Sequence, residues 1–268
     1  MAKGVVLVTG AGSGIGQSVA VHLASVGYTV YGASRSVAQF PFSNITHLQM
    51  DVCKEADVRL ALETVIAQHG RIDAVINSAG LGMLGAVEDC TDTEAREIFD
   101  TNLFGMLNVC RNIVPIMRNQ GSGYIINITS MAAQMALPFR GIYSSSKFAV
   151  EGFSEALSQE VRGSGIHVVI IEPGDFKTAI NGNRRVASSV SEHHRATHDR
   201  IQAQVNSEVD NAPDPIAIAR LIVRVLEMRQ PSLRYRVARP LARFANLLRL
   251  VLPDRWFERL LMRRYSVK

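Results

Sequence analysis

The sequence predicts an α/β fold: a single doubly wound domain with a parallel β-sheet and a C-terminal helical extension. Three observations lead there. Short apolar runs rich in β-branched residues alternate with helical periodicity along residues 4–238. The residue clusters able to carry chemistry fall just after the ends of those runs, where parallel sheets bind ligands. The chain has 268 residues, 47% of them hydrophobic, enough for one large domain with a sizeable core.

Residues 4–8 are a continuous apolar run, as expected of a strand covered on both faces. Thr9-Gly10-Ala11-Gly12-Ser13-Gly14-Ile15-Gly16 follows, then a helical pattern with Val19, Ala20, Leu23 and Val26. Strand, glycine-rich turn and helix cradle phosphate: glycines admit the backbone closely, and a helix N-terminus offers free N–H groups. The spacing T-G-x-x-x-G-x-G is wider than G-x-G-x-x-G, and a structural turn would look similar. Residues 28–33 read as a second strand ending at Ser34-Arg35-Ser36. Dinucleotide folds usually place a ribose-binding carboxylate there, but Asp51 is the first acid in the chain. Arg35 stands instead where a planar cation would pair with a 2′-phosphate. Residues 46–50 make a third strand, 55–68 a helix, and 72–76 a fourth strand ending in Asn77-Ser78-Ala79-Gly80. One long helical pattern covers 91–118 and contains Asn102. Further strands are expected at 124–128, 166–171 and 233–238, and another helix after Pro215.

The stretch 124–161 organises the rest. Its strand ends at Thr129-Ser130, and a loop leads to Tyr143-Ser144-Ser145-Ser146-Lys147 at the start of a helix. Tyr143 and Lys147, four residues apart, share a helical face. A lysine beside a tyrosine favours the phenolate, so the pair can exchange a proton with an alcohol or carbonyl oxygen that Ser130 also reaches. Tyr-x-x-x-Lys alone is as well explained by an ordinary amphipathic helix; the surrounding motifs decide between the two readings.

Composition excludes several classes. Three cysteines without a C-x-x-C make neither a disulfide framework nor a zinc site, and they suit a reducing cytoplasm. No signal peptide or membrane-spanning run is expected. The net charge of +5 is uneven: residues 229–268 hold eleven Lys/Arg and two Asp/Glu, leaving 1–228 at −4. A basic tail on an acidic domain argues against a nucleic-acid partner.

Taken together, Thr9-Gly10-x-x-x-Gly14-Ile15-Gly16, Asn77-Ser78-Ala79-Gly80, Asn102, Ser130, Tyr143, Lys147 and Pro173-Gly174 resemble the short-chain dehydrogenase/reductase family over residues 4–180. Ser78 departs from that family's Asn-Asn-Ala-Gly. The resemblance implies a Rossmann-like domain over 1–238 that binds a nicotinamide cofactor, and Arg35 in place of an acid makes that cofactor NADP(H). It also implies an oxidoreductase interconverting a ketone and a secondary alcohol. Tyr143 would be the acid/base and Lys147 would hold the nicotinamide ribose. Ser130 would polarise the substrate oxygen, and Asn102 would position a relay water. Thr9, Gly10, Ser13, Gly14, Ile15, Gly16, Arg35, Asp51, Val52, Asn77, Ala79, Gly80, Pro173, Gly174 and Thr178 would complete the cofactor site.

Residues 175–211 are polar, with His193, His194 and His198 among them. They read as a solvated loop and, by the resemblance, as a substrate lid; no metal site is expected. The basic amphipathic tail, 239–268, has three readings: a wall of the substrate cleft, a subunit contact, or a peripheral contact with an anionic membrane. The first predicts two short helices within 240–265 that bury their apolar side. Phe244, Leu248, Trp256 and Leu260, in a run that also holds Leu241 and Leu247, would be buried, and the cleft would be deep enough for a bulky apolar ketone or alcohol of steroid, retinoid or acyl-chain type. A homodimer or homotetramer is the expected assembly. A catalytically silent redox sensor on the same fold is the rival from another class, and an intact proton-transfer set argues against it. A sugar-nucleotide epimerase would need a larger C-terminal domain.

Overall fold

A computed structural model describes residues 3–178, 184–265 and 267, apart from the side chains of residues 241–243 and 247. Seven parallel strands form one sheet in the order β3-β2-β1-β4-β6-β7-β9. They are β1 (Val5–Thr9), β2 (Thr29–Ser34), β3 (Ile45–Gln49), β4 (Ala74–Asn77), β6 (Gly123–Ile128), β7 (Ile166–Pro173) and β9 (Arg234–Val237). Strand order reverses between β1 and β4, and at such a switch point the connecting turns part and leave a crevice above the strand ends.

Alternating side chains along β1 divide the core. Val5 and Leu7 pack with α2 (Glu55–His69), α4 (Gly105–Gln120) and α5 (Gly141–Glu160). Val6 and Val8 pack with α1 (Gly14–Ser25) and, among later elements, the helix Ile216–Glu227, called α7 here. Burial on both faces is why these strands read as unbroken apolar runs.

The structure departs from the sequence reading in four places. The helical run over 91–118 is divided into α3 (Asp92–Phe99), a π-helical turn (Asp100–Phe104) and α4. The π turn, a device common at functional sites, carries Asn102 into the interior. Second, most of the region read as loop is the helix α6 (Glu192–Asp210). Its buried stripe is thin: His198, Ile201, Val205 and Val209. Such a pattern is easily lost among fifteen polar or small neighbours. Residues 179–183 of the expected lid lie outside the described residues. Third, a two-strand sheet of β5 (Met83–Leu84) and β8 (Arg185–Val186) ties this region to the loop after β4.

The fourth departure is in the tail. It forms the two expected helices, α8 (Pro240–Val251) and α9 (Asp254–Arg264), divided at Pro253, but does not bury the side chains expected. Phe257 and Tyr265 are buried, but Trp256, Phe244 and Leu260 are exposed by 62%, 53% and 43%. Leu248 is half-buried, while the side chains of Leu241 and Leu247 lie outside those described.

Candidate active site

Glycine at positions 10 and 16 is dictated by backbone contact. A Cβ on Gly10 would lie 2.7 Å from the Ala79 Cα, and one on Gly16 only 2.4 Å from the Gly10 carbonyl oxygen. The turn, the start of α1 and the end of β4 therefore close on one another at van der Waals range. Thr9 Oγ1 accepts hydrogen bonds from the Ser78 and Ala79 N–H groups at 3.1 Å each, locking the same junction from the side. The N-terminus of α1 has no acidic residue in its first turn, and the Ser13 side chain does not cap it. Free N–H groups and the helix dipole are thus left to an anionic ligand. Thr178 overhangs this turn, lying 3.3 Å from where a Gly14 Cβ would be.

At the neighbouring strand ends, Arg35 is exposed and forms no ion pair among the described residues. Asp51 caps the turn after β3 by accepting from the Cys53 N–H at 3.0 Å. Asn77 is turned into the sheet: its Nδ2 donates to Asn127 Oδ1 at 2.9 Å, and Asn127 donates in turn to Ser154 on α5. The donors, glycines and basic group fit a dinucleotide: a phosphate cradle at Gly10–Gly16 and a cation at the end of β2.

The four residues expected to do chemistry come from three elements: Asn102 from the π turn, Ser130 from the end of β6, and Tyr143 and Lys147 from α5. Tyr143 and Lys147 are buried on α5. Gly80 lies between two of the others: its Cβ would be 3.2 Å from Asn102 Oδ1 and 3.6 Å from Lys147 Nζ. Lys147 Nζ donates to the Ile128 carbonyl at 3.1 Å, binding α5 to the end of β6. Burial holds its ammonium well below the usual lysine range, partly offset by Tyr143 and Glu151. Asn102 accepts from the Leu81 N–H at 2.7 Å and spends both amide hydrogens, one on the Leu81 carbonyl and one on Ser146 Oγ. Ser130 Oγ accepts from the Ala132 N–H at 3.1 Å, so its own hydrogen stays available to donate.

Beyond Ser130 opens a cavity of about 420 Å³. Met131, Met135, Leu137, Pro173 and Gly174 line its inner end, and Phe244, Leu248, Phe257, Leu260, Leu261 and Tyr265 of the tail form the opposite wall. Arg140 also lines it, with its guanidinium 5.4 Å from the Tyr143 ring centroid.

A model of the short chain dehydrogenase family matches residues 4–188. The chain belongs to the short-chain dehydrogenase/reductase family. It is 38% identical over 238 residues to a 3-ketodihydrosphingosine reductase of Bacteroides thetaiotaomicron, covering 87% of each chain. To human 17-beta-hydroxysteroid dehydrogenase type 1 it is 33% identical over 278 residues, covering 95% of this chain and 82% of the relative. A solved short-chain dehydrogenase from Streptomyces avermitilis superposes with a TM-score of 0.83 at 30% identity, over 99% of this chain and 97% of that one. A Burkholderia phymatum family member solved with NAD shares the fold at a TM-score of 0.81 and 22% identity, over 93% of each chain. The protein is thus an oxidoreductase whose family uses a nicotinamide cofactor.

In this family member a buried ionic clamp lies behind the ends of β6 and β7, and sequence reading missed it. Glu151 on α5 accepts from Thr129 Oγ1 at 2.7 Å, and Glu172, wholly buried before Pro173, accepts from Gln134 Nε2 at 3.0 Å. Arg234 of β9 joins the two carboxylates, at 2.8 Å and 2.7 Å, and Arg236 adds a second contact to Glu172 at 2.7 Å. Burial pushes the Glu172 carboxyl upward, and the two arginines oppose that shift. The partners lie far apart in sequence, and only the adjacency of β6, β7 and β9 brings them together. Arg140 was also missed: three residues before Tyr143, it carries no spacing signal of its own.

Proposed function

We propose that this chain is an NADP(H)-dependent reductase that interconverts a bulky apolar ketone and its secondary alcohol. The observation that carries this reading is the cavity: mostly apolar, about 420 Å³, and opening at Ser130 and Pro173-Gly174. That volume suits a drug-sized apolar ligand fixed by a few polar groups. The relatives named for a ketosphingosine and a hydroxysteroid support the same class.

When bound, the nicotinamide supplies or accepts the hydride. The Gly10–Gly16 cradle and the N-terminus of α1 would hold the pyrophosphate, Arg35 the 2′-phosphate, and Lys147 the nicotinamide ribose. In the reducing direction Tyr143 gives its phenolic proton to the carbonyl oxygen, while the free Ser130 hydroxyl donates a hydrogen bond to the same oxygen. Lys147 spends one N–H on Ile128 and keeps two for the site. Its positive charge stabilises the negative charge left on the phenol oxygen. Asn102 has committed both amide hydrogens to the protein, so its side chain acts by holding the loop after β4 against α5. Its Oδ1 accepts only from the Leu81 N–H among the described residues, which leaves a lone pair for the water that would relay protons towards Lys147.

The test is NADPH and NADH oxidation with steroid, retinoid and acyl-chain ketones, run beside Arg35→Ala. Turnover of a large apolar ketone is expected. So is a loss of NADPH affinity of roughly ten- to a hundredfold in the variant, with NADH little changed, because one charge-assisted contact is worth about 1.5–3 kcal/mol. Equal losses for both cofactors would remove Arg35 from the site. Tight NADPH binding without turnover on any ketone would favour the sensor.

A further inference from the structure

The tail buries Phe257 and Tyr265 but leaves Trp256 and Phe244 in water. Trp256, Phe244, Leu250, Val251 and Leu260 are all exposed, Leu250 by 77%. A concentration of apolar surface on so short a segment marks a contact face.

On α9 the side chains fall into three adjoining stripes. Phe257 and Leu261 turn towards the domain and the cavity. Trp256 and Leu260, each one position earlier, form the next stripe and face solvent. Arg255, Arg259 and Arg263, four apart, form the third. All three arginines are exposed, and none makes an ion pair among the described residues. The Arg259 guanidinium lies 5.9 Å from the Trp256 ring centroid. Of the two acids in the tail, Asp254 is paired with Arg249, and Glu258 sits across the helix from Trp256 and Leu260.

We propose that the α8–α9 tail docks on an anionic lipid surface, with Trp256 and Leu260 entering the interface and Arg255, Arg259 and Arg263 meeting lipid phosphates. Charge complementarity selects this partner. Of the eleven Lys/Arg in residues 229–268, Arg234 and Arg236 are spent on Glu151 and Glu172 and Arg264 on Glu208, while Arg255, Arg259 and Arg263 leave three positive charges on this face with no ion pair among the described residues. Tryptophan beside arginine is the pair that suits a headgroup layer, where one ring face is apolar and the other wet. A second copy packed tail to tail would set like-charged arginine stripes together. Nucleic acid would use the arginines but leave Leu250, Val251 and Leu260 in water. No helix among the described residues is long and apolar enough to cross a membrane, so the contact is peripheral. Phe244 and Leu260 both line the cavity and reach solvent, so the cavity opens on the docking face. An apolar substrate would then pass from the bilayer towards Ser130 without crossing water. That delivery rests on the proposed reaction; the docking does not.

Trp256 is the only tryptophan in the chain, so its emission reports on this face alone. The experiment uses the whole protein with vesicles of phosphatidylcholine, with and without phosphatidylglycerol. Flotation with the anionic vesicles only is expected, together with a shift of Trp256 emission to shorter wavelength, both reversed by high salt. Changing Arg255, Arg259 and Arg263 together to Gln should weaken vesicle binding on the order of a hundredfold, from about one kcal/mol per arginine. NADPH oxidation with a water-soluble ketone should be unchanged in that variant. Absence of flotation would overturn the proposal, as would flotation without the emission shift. An emission shift that follows protein concentration without vesicles would assign the face to self-association instead. Turnover of the soluble ketone is read separately, so failure of the reaction and failure of the docking are distinguishable.

Discussion

Gly16→Ala is expected to damage cofactor binding by moving a helix rather than by removing a contact. The new Cβ would sit 2.4 Å from the Gly10 carbonyl oxygen, 2.8 Å from its carbon and 3.1 Å from the Thr9 oxygen. All three are backbone atoms, so no flexible side chain can yield, and α1 must retreat from the turn by a good part of an ångström. Overpacking of this kind costs about 1–3 kcal/mol. For a chain of this size that is a fall of roughly 2–10 °C in melting temperature. The N–H groups of α1 would also leave the phosphate position, and losing one charge-assisted hydrogen bond weakens binding by roughly ten- to a hundredfold. Gly152→Ala is the matched control: a Cβ there meets nothing within 4 Å, and the residue is helical with ordinary φ. It should gain about 0.5–1 kcal/mol from helix propensity and leave the cofactor alone. Differential scanning calorimetry and NADPH titration by fluorescence read both variants. If Gly16→Ala melted and bound NADPH like the parent, the close approach of α1 to the turn would not be what builds the phosphate cradle.

Other perturbations separate the roles within the site. Tyr143→Phe should keep NADPH affinity and lower turnover by about 10²–10⁴, as loss of a positioned proton donor does; near-normal turnover would clear Tyr143 of that role. Lys147→Met should abolish turnover yet raise stability at neutral pH, because burial disfavours the ammonium in the folded state. The folded pKa is depressed, so the unfolded chain holds the extra proton between that value and 10.5, and wild-type stability rises with pH across the window. The advantage of Lys147→Met should therefore shrink as pH climbs towards 10.5; an advantage that grew with pH would reverse the assignment. Deleting residues 240–268 should remove activity on large ketones while NADPH binding survives, because those residues wall the cavity and the cradle lies elsewhere. Unaltered turnover of large ketones would show that the tail does not shape the cleft.

The parts legible in the sequence are those written over short distances. The turn from Thr9 to Gly16 and the pair Tyr143 and Lys147 depend on spacings of a few residues, which strand, turn and helix geometry fix locally. The alternation of apolar runs with helical periodicity gave the parallel sheet for the same reason. What escaped depends on which strands become neighbours. Nothing near Arg234 announces that Glu151 and Glu172 will meet it, since that requires β9 to lie beside β7 and β7 beside β6. The π turn at Asn102 escaped because one extra residue in a helical turn leaves the apolar periodicity almost intact. The tail failed on a physical assumption. Large apolar side chains were expected to be buried by this chain, whereas Phe257 and Tyr265 take the buried positions and Trp256 is left outside.

Ser130 lies on the seam between two differently built halves. Behind it, Thr129 is fastened through Glu151 to Arg234, and Lys147 is fastened to the Ile128 carbonyl, all at hydrogen-bond distance and mostly buried. In front of it, Met131, Met135 and the tail meet across an apolar gap, and Asn246 reaches Met131 Sδ only at 3.8 Å. Among the described residues no hydrogen bond joins α8 or α9 to Tyr143 or Lys147, so a shift of either helix changes the room for substrate without passing through the bonds that set that pair. Proton transfer demands that geometry to within a fraction of an ångström, while an apolar cavity tolerates much larger adjustments. Substitutions at Phe244, Leu248 or Leu260 should accordingly alter which ketone is reduced, and those at Glu151 or Arg234 how fast any ketone is reduced. Kinetics on one small and one large ketone would separate the two. A Leu248 variant that slowed both equally would mean that the halves are mechanically coupled through Met131.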